Sequence, residues 1–213
     1  MVRLVSRRNW FYSIAYLIVR FLLQVIWRLE VHNEENVPLS GGVVISPTHK
    51  SYFDPPVIGA ALPREAHYMA KKELFRVPLL KNVIKKLNAF PVDRVGFSRD
   101  AIKKSIELLE RGDAVVIFPE GHRQKGDIVV GECKPGVGVI CLHSKAPVLP
   151  VLIVNSQQWT RLKKIEVWFG DLIRLDFDKG DNNFNYRMMS ELIKERIEEL
   201  WRKRESCKRR YQQ

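Results

Sequence analysis

Cysteine is scarce in this sequence. The three present, Cys133, Cys141 and Cys207, are odd in number and show no C-x-x-C spacing. That pattern gives neither a disulfide framework nor a zinc site, and it favours a reducing compartment. Acidic residues are also in short supply: 24 Asp and Glu face 36 Lys and Arg, for a formal charge of +12 and a pI near 9.8. No internal repeat, low-complexity stretch or evident linker divides the 213 residues. The length suits one domain, or one domain with an appendage, and can bury a real core. No G-x-S-x-G elbow is present, so Ser51 lacks the setting of a hydrolase nucleophile. No RNA- or DNA-binding motif is present either, and the aromatics sit in apolar runs rather than among basic residues, which argues against a nucleic-acid binder.

What the chain does have is positive charge and one long apolar segment. The charge draws it to anionic membrane surfaces or phosphorylated substrates. Trp10 to Trp27 reads WFYSIAYLIVRFLLQVIW. As a helix it would reach about 27 Å, the lower limit for spanning a bilayer, with Arg20 at its middle. Ser13, Tyr16, Arg20, Gln24, Trp27 and Arg28 fall on one side, with Leu17 the apolar intruder, and Arg3, Arg7, Arg8 and Arg28 flank the segment. This pattern predicts an amphipathic helix lying in the membrane interface, its polar stripe facing protein or water. A docked core helix and a true span are the alternatives. A cleaved signal peptide fits poorly, because no small-residue cleavage site follows Trp27.

Downstream, apolar runs alternate with helical patterns. Strands are expected at 43–46, 66–70, 89–92, 114–118, 148–154, 165–169 and 172–175, and a short extended piece and a turn in 30–42. Helices are expected at 54–62, 98–111 and 136–143, at 71–87 with a break at Pro78, and at 184–203 with a frayed basic end, RKRESCKRR. The alternation predicts an α/β fold: a single domain with a mixed, mostly parallel sheet flanked by helices, plus an N-terminal amphipathic membrane-associating helix. The division is 1–35 for the membrane-associating segment and 36–213 for the main domain.

The stretch ISPTHKSYFDPP, Ile45 to Pro56, leaves a buried strand and at once sets out His49 and Asp54. A histidine at a strand's carboxyl end sits where α/β sheets bind ligands, and it can take a proton from a hydroxyl. Asp54 can orient its ring if the intervening residues turn into a helix start. A turn histidine beside an N-capping aspartate is the plainer reading of those two residues alone. FPVDR (90–94) and FPEGHR (118–123) each put an arginine beyond a strand end. Arg94 and Arg123 could clamp a phosphate, Gly121 would let backbone approach it, and Glu120 could orient Arg123 or meet a substrate hydroxyl.

HKSYFD, FPVDR, FPEGHR and APVLPV together resemble the four ordered blocks of the glycerolipid acyltransferase family, in its 1-acyl-glycerol-3-phosphate acyltransferase branch, over about Val43 to Val154. The resemblance implies His49 as general base, Asp54 as its orienting partner, and Arg94, Arg123 and Lys72 on the acceptor phosphate, with Glu120 and Gly121 shaping that pocket. It implies acyl transfer from acyl-CoA or acyl carrier protein to lysophosphatidic acid, giving phosphatidic acid, with no metal, no other cofactor and no acyl-enzyme. It also implies work at a membrane surface, on the cytoplasmic face. Another acceptor (glycerol 3-phosphate, another lysolipid) and a non-enzymatic membrane-surface binding protein stay open. The family usually has threonine or serine where this chain has His122, which adds a titratable group near the site.

Overall fold

A computed structural model describes residues 10–92, 99–174 and 182–210. Arg3, Arg7, Arg8 and Arg94 lie outside the described residues, as do Ser98 and Leu175. In chain order the elements are α1 (Trp10–Trp27), β1 (Glu30–His32), β2 (Val43–Pro47), α2 (Asp54–Ala61), β3 (Ala66–Lys71), a 3₁₀ turn (Lys72–Arg76), α3 (Pro78–Lys86), β4 (Ala89–Val92), α4 (Arg99–Glu110), β5 (Ala114–Val116), α5 (Gly136–Ser144), β6 (Val148–Val154), β7 (Glu166–Phe169) and α6 (Asn182–Arg210).

Seven strands form one sheet in the order β1-β7-β6-β2-β5-β3-β4. Every neighbouring pair is parallel except β6 and β7, so the sheet is mixed and mostly parallel, as expected. β2, β5 and β6 occupy the middle, and all their residues are buried. This explains their unbroken apolar runs: a parallel strand covered on both faces has no polar side to show. Val43 and Ile45 point into one core with Val57, Ile58 and Leu23, whereas Val44 points into the other with Ile140, Ile193 and Leu109. Each such side chain, fully withdrawn from water, contributes roughly 1.5–3 kcal/mol. α1 and α2 cover the first face, and α4, α5 and α6 cover the second. Gly42 lets β2 start close under α4, since a Cβ there would run into the carbonyl of Leu109.

Some expectations shift. The expected strand at 172–175 contributes a single antiparallel bridge, Ile173 to Val148. The basic end of α6 is not frayed: the helix runs to Arg210. The reason is Arg204, which is 3% exposed and donates through Nε and Nη2 to both carboxylate oxygens of Glu166, at 2.7 and 2.8 Å. Burial alone would raise Glu166, but hydrogen bonds from Arg204 and Trp168 and the charges of Arg204 and Lys208 hold its pKa at about 2.

α1 turns Tyr16 and Arg20 of its polar stripe toward the domain, while Gln24 and Arg28 stay exposed. The Arg20 guanidinium donates to the Tyr16 hydroxyl (2.8 Å) and to the carbonyl of Ala60 (3.0 Å), and it lies 3.8 Å from Glu34. Tyr12, Tyr16 and Leu23 are buried, and Leu17, Ile18, Phe21, Leu22 and Val25 are exposed. The helix is long and apolar enough to cross a membrane.

Candidate active site

β2 and β5 are adjacent, but the chain leaves them toward opposite faces, through α2 and α5 respectively. That divergence opens a crevice at their carboxyl ends, where open α/β sheets bind ligands. His49 follows β2, and the segment 118–123 follows β5. The end of β2 is tied down by Thr48, whose hydroxyl accepts from the N–H of Ile153 (3.0 Å) and whose own N–H donates to Val151 (3.0 Å).

From there the chain hooks around one carboxylate. Asp54 is fully buried as the first residue of α2. Its Oδ2 accepts from the backbone N–H groups of Lys50 and Ser51, both at 2.7 Å, and lies 2.8 Å from Nδ1 of His49. A carboxylate only accepts, so Nδ1 carries a proton, and in the neutral ring Nε2 is then the nitrogen with the lone pair. Five residues separate the pair, too many for a straight helix, and the turn between Ser51 and Asp54 absorbs the difference. Ser51 is used up in this turn: its Oγ accepts from the N–H of Phe53 (3.0 Å).

The segment after β5 grips His49 by its backbone. Oε2 of Glu120 accepts from the His49 N–H (2.7 Å), and Oε1 accepts from the N–H of Gly131 (2.9 Å). The N–H of Gln124 donates to the His49 carbonyl (2.8 Å). Phe118 stacks on the imidazole, ring centroids 4.0 Å apart. Glu120 is 0% exposed. Both of its oxygens face backbone donors, so these contacts are with the framework around His49. Burial raises the Glu120 pKa to about 7 against the pull of those two N–H groups.

Gly121 turns with φ +70°, and a Cβ there would meet the Lys134 side chain at 2.9 Å, so the glycine serves both the turn and the packing of that lysine. Arg123 lies flat on the ring of Tyr52, 3.4 Å from its centroid. Lys72 begins the turn after β3, on the same carboxyl edge of the sheet but beyond β5. His122 is exposed beside Gln124.

Several residues of this site were not singled out from the sequence. Tyr52 and Phe53 fill the H-x4-D spacer for different reasons: Tyr52 supports Arg123, while Phe53 packs between Trp27 (5.0 Å) and Trp159 (5.7 Å). Trp27 also donates from Nε1 to the carbonyl of Trp159 (2.7 Å), which joins the end of α1 to the segment after β6. Lys50 is half-buried, and its pKa is lowered by burial against the charges of Glu120, Asp127 and Asp54. Only an aromatic within the spacer hinted at these contacts. Among the described residues, no group of three or more His, Cys, Asp or Glu side chains is arranged to hold a metal.

Comparison with known proteins fixes the family. Residues 28–154, which include all four sequence blocks, match the family described as Acyltransferase. The chain belongs to the acyltransferase family. It is 34% identical over 187 residues to the 1-acyl-sn-glycerol-3-phosphate acyltransferase of Bacillus subtilis, covering 85% of this chain and 92% of that one. It is 27% identical over 191 residues to the enzyme of the same name from Streptococcus pneumoniae, covering 86% and 70%. The crystal structure of the 1-acyl-sn-glycerophosphate acyltransferase PlsC from Thermotoga maritima shares the fold, with a TM-score of 0.72 at 22% identity over 92% of this acyltransferase and 84% of that chain.

Proposed function

We propose that this acyltransferase moves a fatty acyl group from an acyl thioester to the free hydroxyl of lysophosphatidate, giving phosphatidate for phospholipid synthesis. The observation that carries the proposal is the 2.8 Å contact of His49 Nδ1 with buried Asp54, which leaves Nε2 free to accept a proton at the crevice. The names of the relatives supply the acceptor class.

In this reading Nε2 of His49 takes the proton from the acceptor hydroxyl as its oxygen attacks the thioester carbonyl. The tetrahedral oxyanion collapses, the C–S bond breaks, and the thiolate takes the proton back from the imidazolium. The thioester is already activated, so neither ATP nor a serine nucleophile is needed. Asp54 holds the tautomer and stabilises the imidazolium. Arg123, Arg94 and Lys72 hold the acceptor phosphate, Gly121 allows its approach, and Glu120 positions His49 instead of touching substrate. Coenzyme A or acyl carrier protein carries the acyl group. The division at 35/36 is functional: residues 1–35 attach the domain to the cytoplasmic face of a membrane, and residues 36–213 do the chemistry, although β1 belongs to the sheet. The exposed apolar side of α1 supports attachment in the plane of the interface.

The test supplies lysophosphatidate with a long-chain acyl-CoA, then with acyl carrier protein, and reads phosphatidate. His49→Ala is expected to lower turnover at least about a hundredfold. Equal product from wild type and variant would remove His49 from the mechanism, and no product with either donor would overturn the choice of acceptor.

A further inference from the structure

α3 is a nine-residue helix with no buried residue. An isolated helix this short does not hold in water, so its side chains need a surface to pack against. Its inner edge has one: Ile84 and Leu87 share with Tyr12 and Ala15 of α1 the wall of an apolar cavity of about 230 Å³. Its other apolar side chains do not. Leu79 is 83% exposed, Val77 50% and Val83 43%, and Leu74 and Leu80 are also in the open. Exposed apolar clusters of this kind mark contact surfaces.

Two observations say what covers it. The first is charge. Residues 71–87 carry six basic side chains (Lys71, Lys72, Arg76, Lys81, Lys85, Lys86) against one acid, Glu73. The second is position. By helical spacing Lys86 lies on the same side of α3 as Leu79 and Val83. Its ammonium sits 4.9 Å from the ring centroid of Phe11, on α1. The exposed edge of α3 is thus turned toward the exposed apolar flank of α1. Lys86 borders this apolar edge, and Lys81 and Lys85 lie across the helix from it; an apolar side backed by a cationic one fits the boundary of headgroups and acyl chains, where long lysine stems reach lipid phosphate.

We propose that α3 and the turn before it form a second bilayer contact, beside α1 and selective for anionic lipid. Leu79 and Val83 enter the interface, and Lys81, Lys85 and Lys86 gather anionic headgroups. Because the 3₁₀ turn leaves the carboxyl end of β3, this contact would bring the bilayer to the edge of the sheet that bears the crevice. The inference rests on membrane attachment under the proposed function, but its test does not need turnover.

The test is sedimentation with vesicles of phosphatidylcholine alone, and of about three parts phosphatidylcholine to one part phosphatidylglycerol. Leu79→Glu/Val83→Glu is expected to weaken binding to both by at least about tenfold, with unchanged melting temperature, since both sites are exposed. Lys81→Gln/Lys85→Gln/Lys86→Gln should leave binding to phosphatidylcholine unchanged and weaken binding to the mixed vesicles at low salt by about fivefold per lysine. If the glutamate variant fails to fold, the lysine variant carries the test. Wild-type binding by the folded variants overturns the proposal. So does a loss of transfer from acyl carrier protein with vesicle binding and transfer from acyl-CoA intact, which would make the surface a dock for the donor protein. Absence of turnover in a wild type that still binds vesicles in this pattern would sink only the catalytic reading.

Discussion

Oε2 of Glu120 lies 2.7 Å from the backbone nitrogen of His49, across 71 residues of sequence. The carboxylate holds the backbone, not the ring, of the proposed base, and its other oxygen holds Gly131. Glu120→Gln places an amide N–H₂ against one of two backbone N–H donors, and the grip fails on that side. The expected result is a fall in kcat of about tenfold to a thousandfold with KM for lysophosphatidate little changed, since the proposed phosphate ligands are elsewhere. Steady-state kinetics with both substrates varied checks the split.

Glu120 also gives stability a pH dependence. Its folded pKa is about 7, above the ordinary value of 4.5. Between those values the unfolded chain has lost this proton while the folded chain still holds it, so this group makes stability fall as pH rises through that window and level off above about 7. Denaturant melts of wild type and Glu120→Gln across pH 4.5–7 should show a steeper decline in wild type. Parallel curves would remove the carboxyl as the source.

Asp54→Asn keeps the volume, and its carbonyl oxygen could still take the place of Oδ2, which meets all three donors, the ring of His49 and the amides of Lys50 and Ser51, but it brings no negative charge to the imidazolium. If the amide nitrogen turns toward the ring, Nδ1 must become the acceptor and Nε2 the donor, which disables the base. A loss of about 10²–10⁴ in kcat is expected, measured beside His49→Ala. The double variant should be no slower than the slower single variant, because the two act as one unit.

Tyr52 supports Arg123 from an exposed position. A cation over an aromatic face at such a site is worth about 0.5–1 kcal/mol, so Tyr52→Ala should raise KM for lysophosphatidate about two- to fivefold, and Tyr52→Phe should leave it near wild type. Arg123→Ala and Arg94→Ala should raise it further. An unchanged KM in both arginine variants would remove them from the acceptor site.

The Glu166–Arg204 pair fastens α6 to β7. Arg204→Ala leaves buried Glu166 with the Trp168 hydrogen bond and the Lys208 charge alone, so it should cost about 3 kcal/mol, the low end for a broken buried pair, and lower the melting temperature. Glu166 has a depressed pKa of about 2, so its stabilisation is full above about pH 4.5 and is lost as pH falls through about 2. Acid titration of wild type against Glu166→Gln reads this difference.

The sequence by itself determined most strands, most helices and the pairing of His49 with Asp54. Apolar runs at β2, β5 and β6 signal burial on both faces, because a half-exposed strand would alternate. His49 and Asp54 are local neighbours, so their pairing needs one turn and no knowledge of the fold. Helical spacing also grouped Tyr16 and Arg20 on one side of α1 but left open whether that side meets protein or water; the fold set Arg20 on the carbonyl of Ala60. Only the tertiary structure decided the partners that are distant in sequence. Glu120 could be read as a substrate ligand from the sequence, and it is the parallel pairing of β2 with β5 that brings its oxygens to the amides of His49 and Gly131. Phe53 finds its partners only in the fold, where Trp27 and Trp159 close around it. The basic tail of α6 looked frayed until Glu166 met Arg204. Spacing along a chain fixes which side chains share a face or a turn. Which face meets which is set by how the strands are ordered, and strand order is a property of the folded sheet.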